Sequence, residues 1–80
     1  MEPLLGQIVL LPYQFTPKGW LLCDGQLLQI MQYQALFSLL GTTFGGDGKS
    51  TFAVPNLKSN APAANLQYCI AIEGVYPSRS

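Results

Sequence analysis

The chain has no histidine and very little charge. Four Lys or Arg and four Asp or Glu stand among 80 residues and cancel to zero. Without histidine there is no Ser-His-Asp or Cys-His arrangement and no His-based metal site. The carboxylates Glu2, Asp24, Asp47 and Glu73 are scattered. A catalytic pair would have to join Asp24 and Asp47. Both stand where Asp serves the backbone, Asp24 in an Asp-Gly turn and Asp47 in a Gly loop. The expectation is a non-enzyme, with no catalytic residue, metal or cofactor. The absence of any Lys/Arg cluster excludes nucleic acid as a partner, since phosphate binding needs several cations. The apolar run at residues 8–11 is far too short to span a bilayer. Met1-Glu2-Pro3-Leu4-Leu5 has no positive segment followed by an apolar stretch, so no signal peptide is recognisable. Work outside a cell would then need another export route.

Cysteine is scarce too. Cys23 and Cys69 are too far apart for a paired-thiolate motif. Two readings stay open. One is a pair of buried thiols acting as small apolar residues, favoured by the lack of a signal peptide. The other is a disulfide joining the two halves. Gly48-Lys49-Ser50 resembles the end of a phosphate-binding loop, but Thr43 stands where that loop needs a further Gly. A helix precedes the segment where a strand should, so nucleotide binding is rejected.

What the chain has in quantity is apolar surface. Apolar residues make up 49% and charged residues 10%, where about 25% charged is usual. Little charge leaves little to keep molecules apart. A domain of this size buries only about 60–65% of its unfolded surface, and oligomerisation is one remedy for so small a core.

Residues 6–11 read as a strand ended by Pro12. Pro17-Lys18-Gly19 reads as a tight turn. Residues 20–23 read as a second strand, and Asp24-Gly25 predicts a hairpin returning through residues 26–30. Residues 31–40 read as a helix closed by Gly41. On it Met31, Ala35 and Leu39 form one apolar stripe, and Tyr33, Leu36, Phe37 and Leu40 form another. A surface helix needs an apolar arc of only about 100°, so this one calls for cover on two sides. A partner chain would supply the second cover; the alternative is a core helix wrapped by the domain's own loops. Residues 42–51 form a Gly-rich loop, 52–54 an extended piece, and 66–72 a strand alternating with period two. The aromatics Trp20, Tyr13, Phe15, Tyr33, Phe44, Tyr68 and Tyr76 serve mostly as core or subunit contacts. Tyr13 and Phe44, in loops, are the best candidates for stacking on a sugar, with Asp47 beside them as a further receptor contact.

Gly6-Gln7-Ile8-Val9, the block from Pro17 to Gln26 (PKGWLLCDGQ), the block from Gln34 to Gly48 (QALFSLLGTTFGGDG) and the block from Thr51 to Leu57 (TFAVPNL) together resemble the phage tail collar domain. Their order also resembles the stand-alone microcystin-dependent proteins of bacteria, whose end is similar to residues 68–79. The resemblance implies an α+β fold: a small mixed β-sheet domain with one central helix. It implies one domain over residues 1–80, with a shortened linker at 57–65 and a C-terminal strand at 66–76. It implies a non-catalytic fibre protein, virion-associated or extracellular, that oligomerises and in some members contacts host receptors. Relatives carry a Gly-rich region where only residues 58–65 remain here, and Asn56-Leu57-Lys58-Ser59-Asn60 replaces their Asp-Leu-Arg-Gly-Arg. Met31 replaces a Ser helix cap and Tyr33 a polar residue. A lost cap costs about 1 kcal/mol, and burying Met31 and Tyr33 against a neighbour offsets it at about 1.5–3 kcal/mol each.

The expectation is therefore a structural subunit that assembles with itself, as a closed ring or trimer or as a filament. The interface residues expected are Ile8, Leu10, Met31, Tyr33, Leu36, Phe37, Leu40, Tyr68 and Ile70. The alternative is a receptor- or glycan-binding tip module of a tail fibre, with a cell-surface glycan as partner. Neither reading involves membrane insertion.

Overall fold

The computed structural model describes residues 2–12 and 15–78. Five short strands and one helix follow in the order β1 (Ile8–Leu11), β2 (Trp20–Leu22), β3 (Leu27–Gln29), α1 (Gln34–Leu40), β4 (Thr51–Ala53) and β5 (Gln67–Ala71). Single 3-10 turns lie at Ile30–Gln32 and Lys58–Asn60. The strands form two sheets, one in the order β1-β5-β2 and the other β3-β4. The fold is α+β, as the sequence implies.

β5 pairs antiparallel with both of its neighbours. Ile8 faces Ile70 and Leu10 faces Tyr68 on one side; Trp20 faces Ala71 and Leu22 faces Cys69 on the other. A strand between two others has both ladders satisfied and both faces partly covered. Accordingly Cys69, Ile70 and Ala71 are all buried. Its period-two pattern does not separate a dry face from a wet one.

The Asp24-Gly25 hairpin is not formed, which corrects the sequence expectation. β2 pairs with β5 and β3 pairs with β4. The dipeptide instead carries the chain from one sheet to the other. Asp24 Oδ1 accepts from the Gln26 N–H at 3.1 Å, and Gly25 N–H donates to Pro55 O at 3.2 Å. Asp24 also bridges antiparallel to Asn56. The same Asx-turn chemistry that favours a hairpin here makes a corner, because each strand has a longer-range partner.

The expected helix over residues 31–40 is broken at Tyr33. Its backbone, φ −133° and ψ 46°, separates the 3-10 turn from α1, and no side chain caps α1 there. With no Ser, Thr, Asp or Asn to bond the first amides, the helix starts later. Gly41 ends it with φ +58°, its N–H donating to Phe37 O at 2.7 Å.

The core gathers Leu5, Cys23, Leu28, Leu36, Phe52, Val54 and Ile70 between the two sheets and α1. Tyr33, Phe37 and Leu40 pack against it, and the rings of Phe37 and Phe52 lie 5.3 Å apart. One of the two apolar stripes of residues 31–40 is thus used by the chain itself. The other is not: Met31, Ala35 and Leu39 are exposed.

Candidate assembly surface

The polar groups most suggestive of chemistry are committed to the fold. The Asp47 carboxylate closes the Gly loop. Its Oδ1 accepts from the backbone N–H of Lys49 at 2.8 Å, Ser50 at 2.9 Å and Thr51 at 3.0 Å, and its Oδ2 accepts from Ser50 Oγ at 3.2 Å. Three backbone donors stabilise the charged form and hold this carboxyl far below the usual carboxylate range. Gly46 completes the loop. A Cβ there would stand 2.3 Å from Phe52 Cα, at φ +96°. Asp47, expected as a receptor contact, thus lies exposed while its carboxylate bonds its own loop. Phe44, in the same loop, is 46% exposed. Tyr13 lies outside the described residues.

The disulfide reading is corrected: Cys23 and Cys69 are both free and both buried. Leu22 sits opposite Cys69 and shares its face of the sheet. Cys23 follows Leu22, just past the end of β2, and belongs to the core cluster with Ile70. Burial, with smaller contributions from Cys69 and Asp24, pushes the Cys23 thiol up to about 11. Burial raises that of Cys69 as well. Neither is a ready nucleophile. Among the described residues no three His, Cys, Asp or Glu side chains group as metal ligands.

The surface is apolar where chemistry is absent. Of the expected interface residues, Ile8 and Leu10 are exposed on β1, an outer strand. Met31 is 85% exposed. Tyr33, Phe37, Leu40 and Tyr68 are half-buried against the core. Leu36 and Ile70 are a correction: at 1% and 0% exposure they belong to the chain's own core and offer nothing to a neighbour docking on the folded domain.

Two contributors, Leu4 and Val75, escaped the sequence reading, and Tyr76 was read there only as one of several aromatics. Leu4 and Val75 form a parallel bridge, each about half exposed. Tyr76 follows, its hydroxyl 2.7 Å from Ser38 Oγ on α1. Leu39, Tyr76 and Pro77 line one shallow hollow with Ser38. Exposed Leu4, Leu39, Val75 and Tyr76 are thus linked across three parts of the chain. No local pattern shows this, because long-range pairing brings them together. Leu27 is also exposed, next to buried Leu28, and two adjacent leucines give no sequence signal for which one faces out.

The Phage Tail Collar Domain family matches residues 6–62. The chain belongs to this family. No curated protein and no solved structure matches it. The collar domain is a structural part of phage tails rather than a known enzyme family, which places the chain in a tail-fibre, virion-associated context. Among the described residues no helix is long and apolar enough to cross a membrane. The matched region runs from before β1 through β4 to just past the Lys58–Asn60 turn, and ends before β5.

Proposed function

We propose that this collar-domain chain is a non-catalytic structural subunit of a fibre or filament that assembles with copies of itself. One observation carries the reading: a domain with eight charges in 80 residues leaves large apolar side chains on its surface rather than in its core. Met31 is the extreme case, and Leu4, Leu39, Val75 and Tyr76 form a connected group. Such a surface on so small a domain is an interaction surface, and in a nearly neutral chain nothing opposes self-contact. The partner is a second copy. Head-to-tail contacts build a filament when they do not close and a ring when they do. The place of action is the virion or the outside of a cell.

The test is native mass spectrometry with negative-stain electron microscopy of the purified chain. Discrete multiples or filaments are expected, and Met31→Ser should reduce them while leaving the fold intact. A second reading, a glycan-contacting tip, rests on Phe44, exposed beside the Gly loop. It predicts saturable glycan binding that Phe44→Ala abolishes.

A further inference from the structure

The three-stranded sheet is completed by a segment that the rest of the domain does not hold locally. β1 and β2 pair with β5 and with no other named strand. The family match includes both outer strands and omits the strand between them. β5 is reached through residues 58–66, most of them exposed. This linker is tied to itself, with Asn60 N–H donating to Leu57 O and Leu66 N–H to Ala63 O. A hollow of about 210 Å³, lined by Leu22, Cys23, Leu57, Ala61, Leu66 and Tyr68, lies between linker and sheet. The linker is draped over the domain rather than packed into it.

We propose that copies of this chain join by strand exchange: β5 of one copy lies between β1 and β2 of the next. This rests on the self-assembly reading and supplies its mechanism. The groove's fit for its occupant is shown within the chain itself. The ladder with Ile8, Leu10, Trp20 and Leu22, the burial of Ile70, and the Leu4–Val75 bridge all re-form unchanged when the segment comes from a second copy. Closed and exchanged forms then differ mainly in the path of the linker and in concentration, which makes exchange a low-cost route to assembly. The nine linker residues span up to about 30 Å when extended, comparable to the domain's extents of 34 × 29 × 23 Å. They therefore reach an adjoining copy. Reciprocal exchange gives a closed dimer; exchange to the next copy in one direction gives an open filament. Ile70 and Tyr68, core residues of the closed chain, become contacts between chains.

A disulfide reports which chain supplies the strand. Leu10 and Tyr68 are register partners on β1 and β5, and cross-strand partners lie within the Cα range a disulfide accepts. The full chain carrying both L10C and Y68C is refolded at high concentration, oxidised, and run on a denaturing, non-reducing gel beside the unaltered chain. Exchange predicts a ladder of covalent multiples that collapses to monomer on reduction. Native mass on the same sample separates the two ideas. Multiples in native mass with only monomer on the gel overturn exchange and leave self-assembly standing, whereas monomer in both overturns both. A second measurement uses the unaltered chain. A synthetic peptide of residues 66–78, in excess during refolding, should occupy free grooves and shift native masses toward a chain-plus-peptide species. Multiples undiminished by the peptide overturn exchange.

Discussion

β3 and β4 meet by way of the chain that directly joins them, α1 and the Gly loop, whereas β1 and β2 meet only through β5, delivered across an exposed linker. The first region is closed by its own neighbours. Asp47 binds the amides of Lys49, Ser50 and Thr51, Gly46 lies against Phe52, and Phe52 is buried against Phe37. The second region has a buried centre in Cys69, Ile70 and Ala71, yet it depends on a segment delivered across the mostly exposed residues 58–66. On the proposals above, the locally closed half holds the unit's shape and carries Met31 as a surface contact, while the remotely completed half is where a strand would pass between units.

The largest effect should come from the closed half. Phe52→Ala removes a fully buried ring and should cost about 3–5 kcal/mol in denaturant unfolding. A cost under about 1 kcal/mol would mean that Phe52 does not anchor this region. Two glycine substitutions sharpen the same point. At Gly46 a Cβ meets the Phe52 backbone, while at Gly41, φ +58°, it meets nothing within 4 Å. Gly41→Ala should cost about 1–2 kcal/mol for its left-handed backbone alone. Gly46→Ala should lower the melting temperature clearly further, and equal effects would contradict the packing described.

The sequence revealed the fold unevenly, and the reasons are physical. The strands at β1, β2 and β5 were readable from apolar runs and alternation, and Gly41 marked the end of α1. Which strands pair was not readable at Asp24-Gly25, because a turn dipeptide specifies a bend and not the partner beyond it. The apolar stripes of residues 31–40 were visible, but not which faced inward; that depended on where Phe52 and Ile70 lay. The break at Tyr33 was signalled by the missing cap. Leu4, Val75 and Tyr76 were not readable as a group, since only the Leu4–Val75 bridge and the Tyr76–Ser38 contact join them.

Smaller effects follow from pH. The Cys23 thiol is raised from 9.0 to about 11 in the folded chain. Its contribution is fully present below 9.0 and is lost as pH rises toward about 11, because the unfolded thiol ionises first. Stability measured across that window should fall, and should fall less in Cys23→Ala. Asp47 acts in the opposite direction. Its folded value is depressed, so its contribution is present above the ordinary carboxylate range and is lost as pH falls toward the folded value. The unaltered chain should therefore lose stability in acid more steeply than Asp47→Ala. Because this carboxylate is fully exposed, the difference should be the smallest of the set, and Asp47→Asn should keep part of the loop bonding.

The central claim is that this small, nearly uncharged collar domain exists to join copies of itself, and native mass across a range of protein concentrations tests it most directly. Multiples that grow with concentration, and that Met31→Ser diminishes without changing unfolding by more than about 0.5 kcal/mol, are the predicted result. A chain that stays monomeric at every concentration would contradict it.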